Sequence, residues 1–492
     1  MALLQDIKTI PRDFADALRM KPVQYLVWFC CWACWTLGSL DFYLLPFTTT
    51  NMATAFKVKQ TKISEANTTS MLSRTIGALI FGIASDQYGR KIPLLIDLVV
   101  MGAVTLANGF LTTYSQLVGV RFLFGVCYGG TYGLAMAAVL EATPQKARGI
   151  VAGSTQQGFA AGYLFASGLH LAMSKYKWQA LFWLGAGLTI PVFIIRLVTP
   201  SYSVVAEAVR DAEGIQRVTE AAAVGGELSF WKKFKFVARR HWAVFIYAIV
   251  LTACFNTTGH GSMDLYPTFL VTQKKLSVLH ETWVTCILQI GGISGGIVGG
   301  FLSNRFSPRW VGATAALAMA PWLPLWCLPK TWNLLALGAF FFQFFYGCAI
   351  GNLGNIMQQL CPHPGIRGAF TGVAYNLGNA ISSIAPTIET ALGERFPTAD
   401  GTPDYAKTQM ILVGIVIALL SLTLACMPTG NINRYWDKED PNAEIPIHEA
   451  KTMDDMAIEP QPREGHNAPY GDKKADEIEQ VEEVQLQDMK KV

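Results

Sequence analysis

Twelve separate stretches of about 20 mostly apolar residues punctuate this chain, and each is long enough to cross a bilayer as a helix. They fall near residues 24–46, 67–85, 92–112, 116–139, 150–172, 178–198, 243–270, 282–303, 310–328, 332–358, 368–390 and 408–428. In hydrocarbon such a segment must satisfy its own backbone, which makes it helical. The fold class expected is therefore an all-α polytopic membrane protein with twelve transmembrane helices. Composition agrees, because only 15% of the 492 residues are charged, against about 25% in soluble domains. Residues 429–492 hold 16 acids and 8 bases, leaving 19 acids and 31 bases to the first 428. A greasy, basic body with an acidic tail excludes a soluble nucleic-acid binder and a secreted disulfide scaffold.

Nine of the ten cysteines lie inside apolar runs and Cys361 sits just past one. None has the spacing of zinc ligands, so they read as packing residues and no metal is expected. The nucleotide loop G-x-x-x-x-G-K-[ST] is absent from the sequence, so ATP drive and cofactors are not expected either. No cleavable signal is expected ahead of the first run, which follows an amphipathic segment carrying Lys8, Arg12, Arg19 and Lys21. Loop arginines gather on one side: Arg90, Arg148, Arg239, Arg240, Arg305, Arg309 and Arg367. The positive-inside rule puts that side, both termini and the middle loop in the cytoplasm. Asn67-Thr68-Thr69 then lies on the outer face, close to the membrane, with the pattern of a glycosylation acceptor at Asn67.

The chain repeats itself. Gly82-x-x-x-Asp86-x-x-Gly89-Arg90-Lys91 follows span two, and a worn copy, Gly300-x-x-x-Asn304-x-x-Ser307-Pro308-Arg309, follows span eight. Arg148-Gly149-x-x-x-Gly153 opens span five, and Arg367-Gly368-x-x-x-Gly372 opens span eleven. The offsets of the two pairs agree to within a single position, which implies six spans plus six. The domains expected are an N-terminal segment 1–23, a six-helix bundle 24–200, a middle loop 201–241, a second bundle 242–428 and a disordered acidic tail 429–492.

The G-x-x-x-D-x-x-G-R-K loop resembles the signature of the major facilitator superfamily, as do Arg121-x-x-x-Gly125 and Glu141…Arg148-Gly149. That resemblance implies two six-helix bundles rocking about a central site. Asp86, Gly89, Arg90, Glu141 and Arg148 then form a gate. Asp86 can meet Arg148 or the positive N-terminus of span eleven; the alternative is a solvated turn that only sets topology.

Ionisable groups inside spans are expensive and are functional candidates by default. Asn256, His260 and Asp264 stand four residues apart in span seven, on one helical stripe. Beside a carboxylate in a low-dielectric cavity an imidazole can titrate near neutral pH, so His260 and Asp264 read as a proton-coupling pair; a purely structural polar network is the alternative. The stretch Asn256 to Thr268 also resembles the span-seven signature N-x-x-[ST]-H-x-[ST]-Q-D-x-x-x-T of fungal lactate/pyruvate:proton symporters, in the sialate:proton symporter family. Asn256, His260, Ser262, Asp264 and Thr268 match, whereas Gly259 and Met263 depart. Asn376-Leu377-Gly378-Asn379 and Gln156-Gln157-Gly158-Phe159 are similar to further motifs of that family. The resemblance implies a substrate site built on Asn256, Ser262, Thr268, Asn376, Asn379 and Gln157.

A carboxylate substrate needs a cation within the membrane. Arg74 in span two is the substrate candidate. Arg121 in span four either joins the proton-coupling network or pairs structurally with Asp97 or Glu141. Asp41 either accepts from an arginine or lines the cavity. His170, His241 and His280, at span ends, are expected to be solvated, and the glycines of span eight, Gly291 to Gly300, are expected at a sliding contact between bundles.

The function expected is proton-coupled symport of small lactate- or pyruvate-like mono- or dicarboxylates at the plasma membrane, by a monomer with no enzymatic activity. A sugar porter and a non-transporting nutrient sensor are the alternatives. Lys473, Lys474, Lys490 and Lys491 in the tail are either ubiquitin acceptors or ordinary solvated lysines.

Overall fold

The computed structural model describes residues 11–173, 175–212, 239–362, 366–398 and 403–428, together with Lys235 and Val237. All belong to one compact unit, Met1–Ala443. The tail expected to be disordered, its four lysines, and most of the middle loop lie outside the described residues.

Twelve helical rods, numbered α1–α12, follow the twelve apolar runs. They are α1 (Pro22–Phe56), α2 (Gln60–Tyr88), α3 (Lys91–Asn108), α4 (Tyr114–Glu141), α5 (Arg148–Gln156 with Gly158–Ala172) and α6 (Gln179–Val198). A helix Tyr202–Ala212 follows. The second half comprises α7 (Trp242–Met263 with Tyr266–Thr272), α8 (Val278–Arg305), α9 (Pro308–Met319 with Leu323–Cys327), α10 (Trp332–Ile350 with Leu353–Leu360), α11 (Arg367–Ser382 with Ala385–Arg395) and α12 (Tyr405–Ala425). Among the described residues nine rods are long and apolar enough to cross a membrane by composition alone. The other three are α2, α5 and α11, which carry the polar loop motifs and line the contact between the halves.

Local chemistry explains where the rods start and break. Gly89 ends α2 at φ +78°, a backbone region that glycine enters without steric penalty. Thr113 caps α4 by accepting from the Gln116 amide. Pro267 and Pro386 stand at the second position of the second pieces of α7 and α11, where the missing N–H has no helical partner to lose. The breaks in α5, α7 and α11 all fall near the central cavity, the usual place for interrupted backbone in transporters.

Two expectations change here. Span two begins at Gln60 rather than near 67, so Asn67 is a half-buried residue inside a helix, its carbonyl accepting from the Ser70 hydroxyl at 2.6 Å. The glycines of span eight form two stripes instead of one. A Cβ on Gly291, Gly295 or Gly299 would overlap carbonyls of α10, inside the second half, whereas one on Gly296 or Gly300 would overlap α5 across the halves. One stripe welds a bundle and only the other can slide.

Candidate transport site

A small cavity of about 30 Å³ lies between the halves, room for roughly two waters. Tyr43, Gln156, Gln157 and Phe159 line it from the first half, and Asn256, His260, Asp264, Gln343, Tyr346, Tyr375 and Asn379 from the second. His260 lies about 27 Å along α7 from its start, by helical rise.

His260 is buried and held at both nitrogens. Nδ1 lies 2.9 Å from Asp264 Oδ2, and Nε2 lies 3.0 Å from Asn379 Oδ1. A neutral imidazole has one N–H and one acceptor nitrogen and a protonated ring has two N–H groups, so the ring can meet Asp264 and the Asn379 amide in either form. Asp264 is 26% exposed and His260 only 6%, so the carboxylate is the end that solvent reaches. The i, i+4 spacing brings the pair together on one helix, while Asn379 arrives from α11.

The remaining lining is rich in unused amides. Among the described residues Gln156 Oε1, Gln157 Nε2, Gln343 Oε1 and Asn379 Nδ2 are buried without a partner. Buried polar atoms are rarely left so in native proteins, and here they surround a space that a polar ligand would enter. Asn256 donates to the Tyr375 carbonyl at 3.4 Å.

Arg74 is buried behind this lining. Its guanidinium lies 4.2 Å from the Tyr128 ring centre and 4.7 Å from Phe42, and its Nε and Nη2 have no partner among the described residues. Stacking on ring faces offsets part of its desolvation but leaves its donors free for an anion. Arg121 answers differently: its Nη1 donates to Asp41 at 2.8 Å, both residues fully buried. Its partner is therefore neither of those expected, since Asp97 accepts from Thr131 at 2.7 Å and Glu141 pairs with Arg90 at 2.9 Å. Asp41 and Arg121 are remote in sequence, so their pairing is a product of the docking of α1 on α4.

At the face carrying the Gly82–Lys91 loop the halves are joined. Asp86 accepts from the backbone amides of Gly368 at 3.3 Å and Ala369 at 3.0 Å, capping the N-terminus of α11 from another helix. Arg90 pairs with Asp86, Glu141 and Ser85. Arg148 donates from Nε to the Thr143 carbonyl at 3.1 Å; the N-terminus of α11, one of the two partners expected, holds Asp86. The worn copy does the same work in mirror image. Asn304 accepts from the Gly149 amide at 2.9 Å, capping α5, and donates to the Lys146 carbonyl at 2.6 Å. Gly149 and Gly153 press against Gly300 and Gly296 so closely that a Cβ on either would overlap a carbonyl oxygen of α8. This face is shut, and the cavity's solvent contact is through Asp264.

A family model described as Major Facilitator Superfamily matches residues 30–386. The chain belongs to the Major Facilitator Superfamily. This facilitator is a multi-pass membrane transporter, not an enzyme. It is 31% identical over 387 residues to the "Carboxylic acid transporter protein homolog" of Saccharomyces cerevisiae, covering 75% of the present chain and 62% of that relative's length. It is 24% identical over 371 residues to the "Probable 4-methylmuconolactone transporter" of Cupriavidus pinatubonensis, covering 74% of this chain and 82% of that one. Among solved structures it is similar to the proton:xylose symporter XylE, with a TM-score of 0.70 at 14% identity, over 82% of this chain and 96% of that one. That likeness is one of fold.

Within the facilitator fold the expected residues divide. Asn256, His260, Asp264, Asn379 and Gln157 line the cavity. Ser262 instead donates to the Gly259 carbonyl at 3.1 Å, and Thr268 is exposed in the second piece of α7. Asn376 clamps the halves by donating to the carbonyls of Gly129 at 3.0 Å and Gly372 at 2.9 Å. These three lie off the lining, because helical rotation turns them to a neighbour or to the surface. His241, expected in solvent, is buried at 7% exposure, whereas His170 and His280 stack on Phe47 and Trp332. Residues not anticipated include Tyr346, Gln343 and Gln289. The two glutamines stand alone in apolar runs, a signal the sequence did carry. The Met263 thioether lies 3.6 Å from Gln289 Nε2 and 3.9 Å from Gln343 Nε2.

Proposed function

We propose that this protein is a proton-coupled symporter of small carboxylic acids at the plasma membrane, working as a monomer with the Gly82–Lys91 loop face in the cytoplasm. The observation that carries the reading is the buried His260, held between Asp264 and Asn379 beside a guanidinium with unused donors. In the outward-facing state a proton from the external vestibule enters through Asp264 and loads the pair. A carboxylate then takes the free donors of Arg74 and the amides around it, for which bidentate arginine geometry is suited. Neutralising both charges lets the cavity close, and separation of Asp86 from α11 opens the other face. An inward proton gradient then drives accumulation of the anion. The names of the yeast and bacterial relatives point toward carboxylic acids and a methylmuconolactone; Gly259 and Met263 separate this chain from the lactate signature.

The test is uptake of labelled lactate into proteoliposomes under an imposed pH gradient, with short mono- and dicarboxylates as competitors. His260→Ala and Asp264→Asn are expected to reduce gradient-driven accumulation to the diffusive background while leaving protein abundance unchanged. Full gradient-driven uptake by both variants overturns the coupling role. Binding without flux in the unaltered protein would make it a sensor.

A further inference from the structure

A second carboxyl packs against α7 at Gly261, outside the cavity lining. Glu389, in the second piece of α11, is 0% exposed, and the polar side chain it meets is the Gln409 amide. An ionised carboxylate in that condition is very unfavourable. Its Oε1 lies 3.0 Å from where a Cβ on Gly261 would be, so the absent side chain of Gly261 is what admits it against α7.

Three groups face it: Asp264 from α7, the Gln409 amide from α12 and the Cys327 thiol from α9. Gln409 is also fully buried and is the hydrogen-bonding side chain beside Glu389. An amide offers both donor and acceptor, which complements a neutral carboxylic acid; a carboxylate can use only the donor.

Position links it to the coupling pair. Asp264 is four residues beyond His260 and three beyond Gly261, so on the helix it stands between them. It bonds His260 on one flank and acts electrostatically on Glu389 on the other.

We propose that Glu389 is a second proton-carrying site, exchanging its proton with the His260–Asp264 pair through Asp264. In the transfer the Glu389 O–H bond breaks, leaving a carboxylate, and an O–H bond forms on Asp264, so that one proton moves and none is lost. The inference rests on the proton-coupled reading above and adds a titrating group to it.

The probe is dicyclohexylcarbodiimide, which adds to protonated carboxyls in apolar surroundings, applied to the full chain in detergent and read by mass spectrometry of the peptide carrying Glu389. Labelling at Glu389 is expected at neutral pH and is expected to fall as pH rises. In Asp264→Asn, where the neighbouring negative charge is gone, the fall is expected at lower pH, which reports that the two carboxyls act on each other. In parallel, Glu389→Gln is expected to retain lactate counterflow while taking up fewer protons per lactate. Absence of label at Glu389 across about pH 5–8, or an unshifted profile in Asp264→Asn, overturns the proposal, as does an unchanged proton ratio in Glu389→Gln. Should His260→Ala abolish coupling while Glu389→Gln leaves the ratio intact, only this second site is lost. Should His260→Ala retain coupling, the earlier reading falls first.

Discussion

At the scale of single residues, the departures from the lactate signature have a packing cause. Gly259 stands where the signature has a hydroxyl residue, and a Cβ there would lie 2.5 Å from the Tyr346 hydroxyl oxygen. Tyr346 reaches over the glycine to donate to the Phe255 carbonyl at 3.1 Å and presents its ring to the cavity. A tyrosine from α10 thus occupies the space that a serine or threonine on α7 would fill. Gly259→Ser is expected to destabilise the outward-facing state by about 1–3 kcal/mol through overpacking and to raise the lactate KM. Adding Tyr346→Phe removes the clashing oxygen and is expected to restore most of the loss. The check is a double-mutant cycle on thermal stability and KM, and simple additivity of the two changes would contradict the explanation.

At the scale of elements, the two loop motifs act as caps offered by one half to the other. Asp86 on α2 serves α11, and Asn304 on α8 serves α5. The first carries a full charge against the positive helix end and the second only a dipole, so the two joints differ in strength. Asp86→Ala removes an N-cap and an ion pair with Arg90, and is expected to weaken closure of the loop face by about 1–2 kcal/mol. Spin labels on the exposed Lys146 and Ser307, one from each half, should then report a larger population of long distances. An unaltered distance distribution would reduce the motif to a topological turn.

At the scale of the whole molecule, the loop face closes by backbone meeting backbone. Gly149 and Gly153 lie against Gly300 and Gly296, and the short helix at 11–17 covers the joint. Phe14 packs edge-on against Phe301 at 5.2 Å, Ala17 joins the same cluster with Ile150, and Asp13 pairs with Arg305 at 2.5 Å. The N-terminal segment therefore touches both halves. Gly153→Leu introduces a side chain where none fits in the closed joint, and nothing in the separated joint opposes it. The variant is expected to favour the state open at the loop face, to lose net uptake, and to give long Lys146–Ser307 label distances. Short distances with normal uptake would show that the seam has more room than its geometry indicates.

Much of this was legible in the sequence because it is local. The hydropathy of a single span depends on nothing distant, so the helical rods and the all-helical class followed from it. The His260–Asp264 contact followed too, since i, i+4 spacing on one helix fixes it. What the tertiary structure alone decided is every pairing between rods: Arg121 with Asp41 and not Asp97 or Glu141, His260 with Asn379, Asn376 as a clamp, Tyr346 in the space above Gly259, and Glu389 behind Gly261. The physical reason is that a helix determines only which residues share its own face. Which face meets which neighbour, and at what rotation, is set by the close packing of all the rods at once, and most decisively by glycines whose role is visible only once another backbone lies against them.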